Sequence, residues 1–228
     1  MESEISVPVQ PPVEALSKGF YASYCKRFVD LCAALPLFIC CLPIIAVAAL
    51  LIILDDKGAP FYGQKRVGVN GKVFTLYKLR SMHSKSQGAN FETEPNDMRI
   101  TKSGALLRDK KIDELPQLWN VIRGEMSLIG PRPLSVEETE HIIDNEEFTD
   151  ATPGLIPRLR PGMTGLEQCT RRSLNPYWER FIINRYYEVH SSLWLDLYII
   201  KKTLFVCPSV CLLLALSVGV VILLILWH

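Results

Sequence analysis

Between Leu31 and Leu54 the chain runs for twenty-four residues without a charge, and between Thr203 and Trp227 for twenty-five. A hydrocarbon core about 30 Å thick is crossed by roughly twenty apolar residues in helical form, so either run is long enough to enter a bilayer. In a chain of 228 residues this leaves room for one ordinary domain between the runs and excludes two large ones.

The two runs differ in what interrupts them. Pro36 and Pro43 fall inside the first, and each removes a backbone donor and bends a helix. A straight span and a re-entrant helix that dips into one leaflet and bends near Pro43 both fit. The flanking charges, Lys26 and Arg27 before and Asp55, Asp56 and Lys57 after, do not separate them. The second run reads as a transmembrane helix preceded by Lys201-Lys202, which positive-inside logic puts in the cytoplasm with His228 outside. Residues 1–17, with Pro8, Pro11 and Pro12, read as a flexible tail without the basic start of a signal peptide.

Charge is unevenly distributed. From Lys57 to Arg132 there are fourteen Lys and Arg against seven Asp and Glu, while Pro133 to Asp150 holds seven acids and no Lys or Arg. A basic middle suits anionic ligands or lipid headgroups, and a net charge of +1 argues against a dedicated nucleic-acid binder. Of seven cysteines, five lie in the apolar runs, with neither metal-ligand spacing nor a disulfide framework, which points to a reducing compartment.

Partial apolar alternation on both sides of Asn70-Gly71 predicts a β-hairpin of two short strands, with Lys78 and Arg80 on one face, which by itself reads as a solvated strand face. Residues 83–98 read as loop, and Arg99 to Arg108 as a short helix that aims Arg108 at the pair Asp113-Glu114. Ser135 to Phe148 reads as an exposed acidic helix or loop without chemistry. Arg158 to Gly165 reads equally as a plain surface turn or as one whose arginines and amides suit phosphate oxygens. Pro176 to Lys202, dense in Tyr and Trp, predicts amphipathic helices lying at a membrane interface, with ordinary core helices as the alternative.

The middle centres on Lys110 to Gly124. Leu115, Leu118, Trp119 and Ile122 fall at i, i+3, i+4 and i+7, which predicts a short helix with those side chains on its apolar face. Asp113 sits where an N-cap belongs, Pro116 is tolerated in a first turn, and Gly124 is placed to end the helix. Asp113 and Glu114 then form a carboxylate pair at a helix start. They are either a cap and a dipole-favoured acid or, with Arg108, Lys110, Lys111, Arg123 and Arg132 nearby, a site for a phosphorylated substrate and a divalent metal.

Taken in order, Lys26-Arg27-Phe28-Val29-Asp30, Gln64 to Gly68, Tyr77 to Met82, Asp113 to Leu118, Gly124 to Pro133 and Arg160 to Gly165 resemble the monotopic phosphoglycosyl transferases of the bacterial sugar transferase family. The resemblance implies an α+β, mainly helical protein: a re-entrant membrane helix at 18–57, and a small catalytic domain at 58–202 with a short β-hairpin and interfacial amphipathic helices. A C-terminal transmembrane helix at 203–228 lies beyond the usual minimal domain, as an extra anchor or a docking helix for another glycan-assembly enzyme. It implies location at the bacterial inner (cytoplasmic) membrane, with the domain on the cytoplasmic face.

The resemblance further implies transfer of a sugar phosphate from a UDP-sugar to polyprenyl phosphate, with release of UMP. Asp113 would be the nucleophile, and Asp113 and Glu114 the ligands of Mg²⁺. Arg108, Arg132 and Arg160, together with Lys78 and Arg80, would bind phosphate oxygens. Leu42-Pro43 stands where the family has Ser-Pro, Leu166-Glu167-Gln168 where it has Trp-Ala-Gln, and Asn184 where an Asp is common. A catalytically silent membrane adaptor and a Mg²⁺-dependent phosphohydrolase are the alternatives.

Overall fold

The computed structural model describes residues 21–83, 97–144, 156–170 and 176–206. Residues 1–17, most of the 83–98 loop and nearly all of the second apolar run lie outside these.

A π-helical turn, Tyr21–Cys25, leads into helix α1, Lys26–Asp55, which contains both Pro36 and Pro43. The bend expected near Pro43 does not end the helix. Each proline deletes a single backbone donor, and a buried stripe of Ala34, Cys41, Ile45, Ala48 and Ile52 packs on both sides of the deletions. The opposite side stays apolar and exposed, through Phe28, Leu31, Leu35, Ile39, Val47, Leu50 and Leu54. Among the described residues α1 alone is long and apolar enough to cross a membrane.

Strands β1, Phe61–Val67, and β2, Val73–Leu79, form the expected antiparallel hairpin, in register from Phe61 opposite Leu79 to Val67 opposite Val73. Its connection is made by Asn70 (φ 55°) and Gly71 (φ 81°), left-handed conformations for which Asn and Gly carry the smallest steric penalty. Helix α2, Lys102–Asp109, is capped by Thr101, whose side chain accepts from the Gly104 amide. Helix α3, Gln117–Arg123, ends at Gly124 (φ 85°) as its sequence predicts.

Two short strands join parts of the chain far apart in sequence: β3, Ser127–Ile129, lies parallel to β4, Gly162–Thr164. Between them α4, Val136–Asp144, starts with a reciprocal cap, the Glu138 amide donating to Ser135 Oγ and the Ser135 amide to the Glu138 carboxylate. Glu138 also accepts from Arg180 at 2.6 Å and faces Arg66 at 4.0 Å. Glu138 is therefore a structural bridge, while Glu137 and Glu140 stay exposed.

Three helices complete the described chain: α5, Leu166–Thr170; α6, Pro176–His190; and α7, Leu193–Val206. Helix α7 passes the 202/203 boundary without a break. Tyr186, Trp194, Leu197 and Tyr198 stay exposed on α6 and α7, while Tyr187 and Ile199 of the same helices are buried in a core.

One core lies between α1, β2, α2 and α3; a second gathers Ile129, Leu159, Leu166, Tyr187 and Ile199. Polar contacts tie both ends of α1 to this assembly. Arg27 donates to the Val121 and Ile122 carbonyls and Asp30 accepts from Ser127 and Leu128, while Asp55 accepts from Ser103.

Candidate active site

The acid pair does not cap α3. Pro116 occupies the N-cap position without a side-chain cap bond, and Asp113 and Glu114 belong to a separate 3-10 turn, Ile112–Glu114. The helix start slips toward Pro116 because its missing N–H has no intrahelical role there and its fixed φ suits a first turn. Asp113 is left with no backbone amide to satisfy.

The turn is entered through Lys111, a non-glycine residue at φ 57°. Left-handed backbone at a β-carbon-bearing residue is sterically costly and needs support from its surroundings. Here it reverses the chain directly after α2 and brings Lys111 to both acids.

Asp113 is 6 % exposed, and its Oδ1 has no hydrogen-bond partner. Burial first, and then the neighbouring Glu114 charge, push its carboxyl up to about 6, against the opposing pull of Lys78, Arg108 and Lys111. Glu114 is different. Burial works against its ionisation as well, but Lys78, with Nζ 3.1 Å away, together with Lys111 and Arg132, holds it below the ordinary carboxylate range. One acid is a settled anion and its neighbour is poised near neutrality.

Of the residues assigned to phosphate, the structure brings Lys78 and Arg108 to the pair, and Arg132 within electrostatic reach of Glu114. Arg108 is steadied by its Nε donating to Ser81 Oγ at 2.8 Å. Arg80 and Arg160 are elsewhere. Arg80 is buried beside the end of α1, where it donates to the Asp56 carbonyl and pairs with the Asp56 carboxylate at 3.4 Å. Arg160 donates from Nε to the Gly124 carbonyl at 2.9 Å, at the end of α3 away from the acids. Trp119 departs from the predicted apolar face as well: Leu118 is fully buried, whereas Trp119 is 45 % exposed.

Sequence reasoning missed Asn120. Fully buried, it donates from Nδ2 to the Thr75 carbonyl and accepts the Tyr77 amide on Oδ1, so that it serves the free edge of β2 as a neighbouring strand would. A polar residue between Leu118-Trp119 and Val121-Ile122 was the available signal. Lys111 was among the cations that the sequence groups with the pair, whereas the contact of Ser81 with Arg108 carried no signal. Asn184, the departure from the family pattern, accepts the Arg132 amide at 3.4 Å.

Among the described residues no group of three or more His, Cys, Asp or Glu side chains is arranged to hold a metal. Two adjacent carboxylates, one with an unpartnered oxygen, nevertheless match the small protein donor set that Mg²⁺ takes when phosphate oxygens and water complete its shell.

A poised carboxylate ringed by cations lies on a domain that packs against a long apolar helix, an arrangement suited to binding anions. The chain belongs to the bacterial sugar transferase family, whose sequence model matches residues 21–209. It is 36 % identical over 203 residues to the exopolysaccharide production protein ExoY of Rhizobium meliloti, covering 82 % of this chain and 85 % of that protein. It is 37 % identical over 197 residues to a UDP-galactose-lipid carrier transferase of Erwinia amylovora, covering 79 % of this chain and 40 % of that one. With the undecaprenyl-phosphate galactose phosphotransferase of Salmonella typhimurium the identity is 36 % over 187 residues, 72 % of this chain and 38 % of that one. The chain thus spans about two fifths of the Erwinia and Salmonella relatives and most of ExoY.

Proposed function

We propose that this protein transfers a sugar phosphate from a UDP-sugar to polyprenyl phosphate through an Asp113 phosphosugar ester. The observation that carries the reading is the buried, uncapped Asp113 carboxylate, with Oδ1 unpartnered among Lys78, Arg108 and Lys111. A carboxylate kept from water and from hydrogen-bond donors retains its nucleophilicity, and surrounding cations draw the diphosphate to it.

In the first step an Asp113 oxygen bonds to the β-phosphorus, the bond from that phosphorus to the bridging oxygen breaks, and UMP leaves as an anion. In the second, a phosphate oxygen of the polyprenyl phosphate bonds to the same phosphorus and the Asp113 carboxylate departs. Neither step needs an added proton. Lys78 keeps Glu114 ionised and in place, and Arg108 and Arg132 neutralise phosphate oxygens. Asp113 and Glu114 are the donors for Mg²⁺, which supplies charge neutralisation of the diphosphate and the leaving group.

The membrane reading is re-entrant, with the domain on the cytoplasmic face of the bacterial inner membrane. Its support is that Arg27 and Asp30 at one end of α1, and Asp55 at the other, hold the same domain. A perpendicular span would set those ends on opposite sides of about 30 Å of hydrocarbon.

Incubation of purified protein with UDP-sugars and Mg²⁺, with and without polyprenyl phosphate, tests the reaction. Expected are UMP release, a protein mass increment of one phosphosugar on Asp113 without acceptor, and lipid-linked sugar with it. Free phosphosugar would point to a hydrolase, and no product with any UDP-sugar to an adaptor.

A further inference from the structure

The loop from Gly130 to Pro133 brings Arg132 within electrostatic reach of Glu114, and its backbone is held from three sides. The Gly162 amide donates to the Pro131 carbonyl at 2.9 Å, Arg66 Nη1 donates to the Pro133 carbonyl at 2.9 Å, and Asn184 Oδ1 of α6 accepts the Arg132 amide at 3.4 Å. The Arg132 side chain itself stays exposed. What the loop contributes is therefore a fixed backbone from which one guanidinium reaches outward.

Behind Arg66 charges of alternating sign run through four elements. Arg66 of β1 faces Glu138 of α4 at 4.0 Å, Glu138 pairs with Arg180 of α6 at 2.6 Å, and Arg180 pairs with Glu167 of α5 at 3.0 Å. Glu167 ends the row: it is 6 % exposed, with one oxygen on Arg180 and Oε2 unpartnered. Charges shielded from water act on one another through a low dielectric, so removing one redistributes the rest. A buried ion pair is often no more stabilising than apolar side chains of the same volume, so stability by itself does not account for this row ending on the Arg132 loop.

We infer that Glu167, Arg180 and Glu138 are positioning residues that fix, through Arg66, the loop presenting Arg132 to the donor phosphates. Without the Glu167 charge, Arg180 turns fully to Glu138 and draws it from Arg66, which loses its counter-charge and its grip on the Pro133 carbonyl. The part played by Arg132 toward phosphate rests on the proposed function; the hold on its loop does not.

The full chain in detergent is compared with Glu167→Gln and with the charge-balanced Glu167→Gln/Arg180→Gln, which leaves Glu138 and Arg66 to each other. Deuterium exchange read by mass spectrometry needs neither substrate nor turnover. The peptide spanning 127–136 should exchange about tenfold faster in Glu167→Gln and at the unaltered rate in the double variant. Glu138→Gln, which removes the counter-charge of Arg66 directly, should show the same increase and serves where Glu167→Gln does not fold. With UDP-sugar and Mg²⁺, Glu167→Gln should raise the donor KM about tenfold with kcat and acceptor KM unchanged, and the double variant should restore it. On an Arg132→Ala background Glu167→Gln should add nothing further to the donor KM, a result that loosened packing alone does not produce. Exchange indifferent to the charges, a double variant no better than the single, or full additivity with Arg132→Ala would overturn the assignment. Exchange that follows the charges in a chain releasing no UMP would sink the transfer reading and leave this one standing; UMP release with indifferent exchange would do the reverse.

Discussion

Two buried aspartates, Asp113 and Asp196, differ in how completely they are satisfied. Asp196, 3 % exposed, accepts from Lys26 Nζ at 2.5 Å, from Tyr21 OH at 2.7 Å and from Tyr187 OH at 2.6 Å. Asp113, 6 % exposed, has an oxygen with no partner, and its cations act on it without such a hydrogen-bonded cage. A buried carboxylate whose lone pairs are filled holds structure together, here fastening the start of α1 to α6 and α7. An open lone pair costs stability; Asp30 Oδ2 and Glu167 Oε2 share that feature, and at Asp113 it falls among the charges of Lys78, Arg108 and Lys111.

The largest effect expected from this contrast is on chemistry. Asp113→Asn should lower UMP release by at least about a thousandfold, the scale on which loss of a nucleophile is felt, and remove the phosphosugar mass increment. Asp196→Asn should leave that increment in whatever fraction stays folded. An adduct that survives Asp113→Asn would break the comparison at its root.

On stability the order reverses. Asp196→Ala strands the Lys26 ammonium, itself 7 % exposed, and should cost about 3–5 kcal/mol in denaturation of the detergent-solubilised protein. Asp113→Asn should instead stabilise metal-free protein at neutral pH. Because the folded-state value is raised, from 3.8 to about 6, the native state binds the Asp113 proton more tightly than the unfolded chain does. That contribution is complete below about pH 4 and disappears as pH rises through about 6. The Asn variant should therefore match the unaltered protein near pH 4 and exceed it at pH 7 by up to ~3 kcal/mol. A constant difference across that window would show that some other interaction sets the balance.

The smallest effect sharpens the comparison by testing a buried polar group that is satisfied but uncharged. Asn120→Leu should cost about 1–3 kcal/mol, because the Thr75 carbonyl and the Tyr77 amide at the edge of β2 lose their partner. It should also slow adduct formation, since β2 carries Lys78. Unchanged denaturation would mean that water replaces the amide at no cost.

Legibility varied with the range of the determining interaction. Asn70-Gly71 and Gly124 were readable because a left-handed backbone requirement is met within the residue itself. The pairing of β3 with β4 was not, since its partners are about thirty-five positions apart and neither strand has a pattern of its own. Of the cations grouped by sequence, Lys78 and Arg108 face the acids while Arg80 and Arg160 are occupied by Asp56 and the Gly124 carbonyl. Residue type is the same in both sets; distant partners decide the direction in which each side chain is drawn.

The order of residues alone determined that this chain has a long apolar helix, a hairpin and an Asp-Glu pair among cations, because hydropathy, turn geometry and local charge act over a few positions. Whether Asp113 capped a helix or stood open, whether α1 broke at Pro43 or lay whole against the domain, and which arginines reached the acids were decided only by packing. Each of those outcomes depends on what the remainder of the chain places beside a group once water has been removed, and neighbours brought together by folding leave no mark in the local sequence.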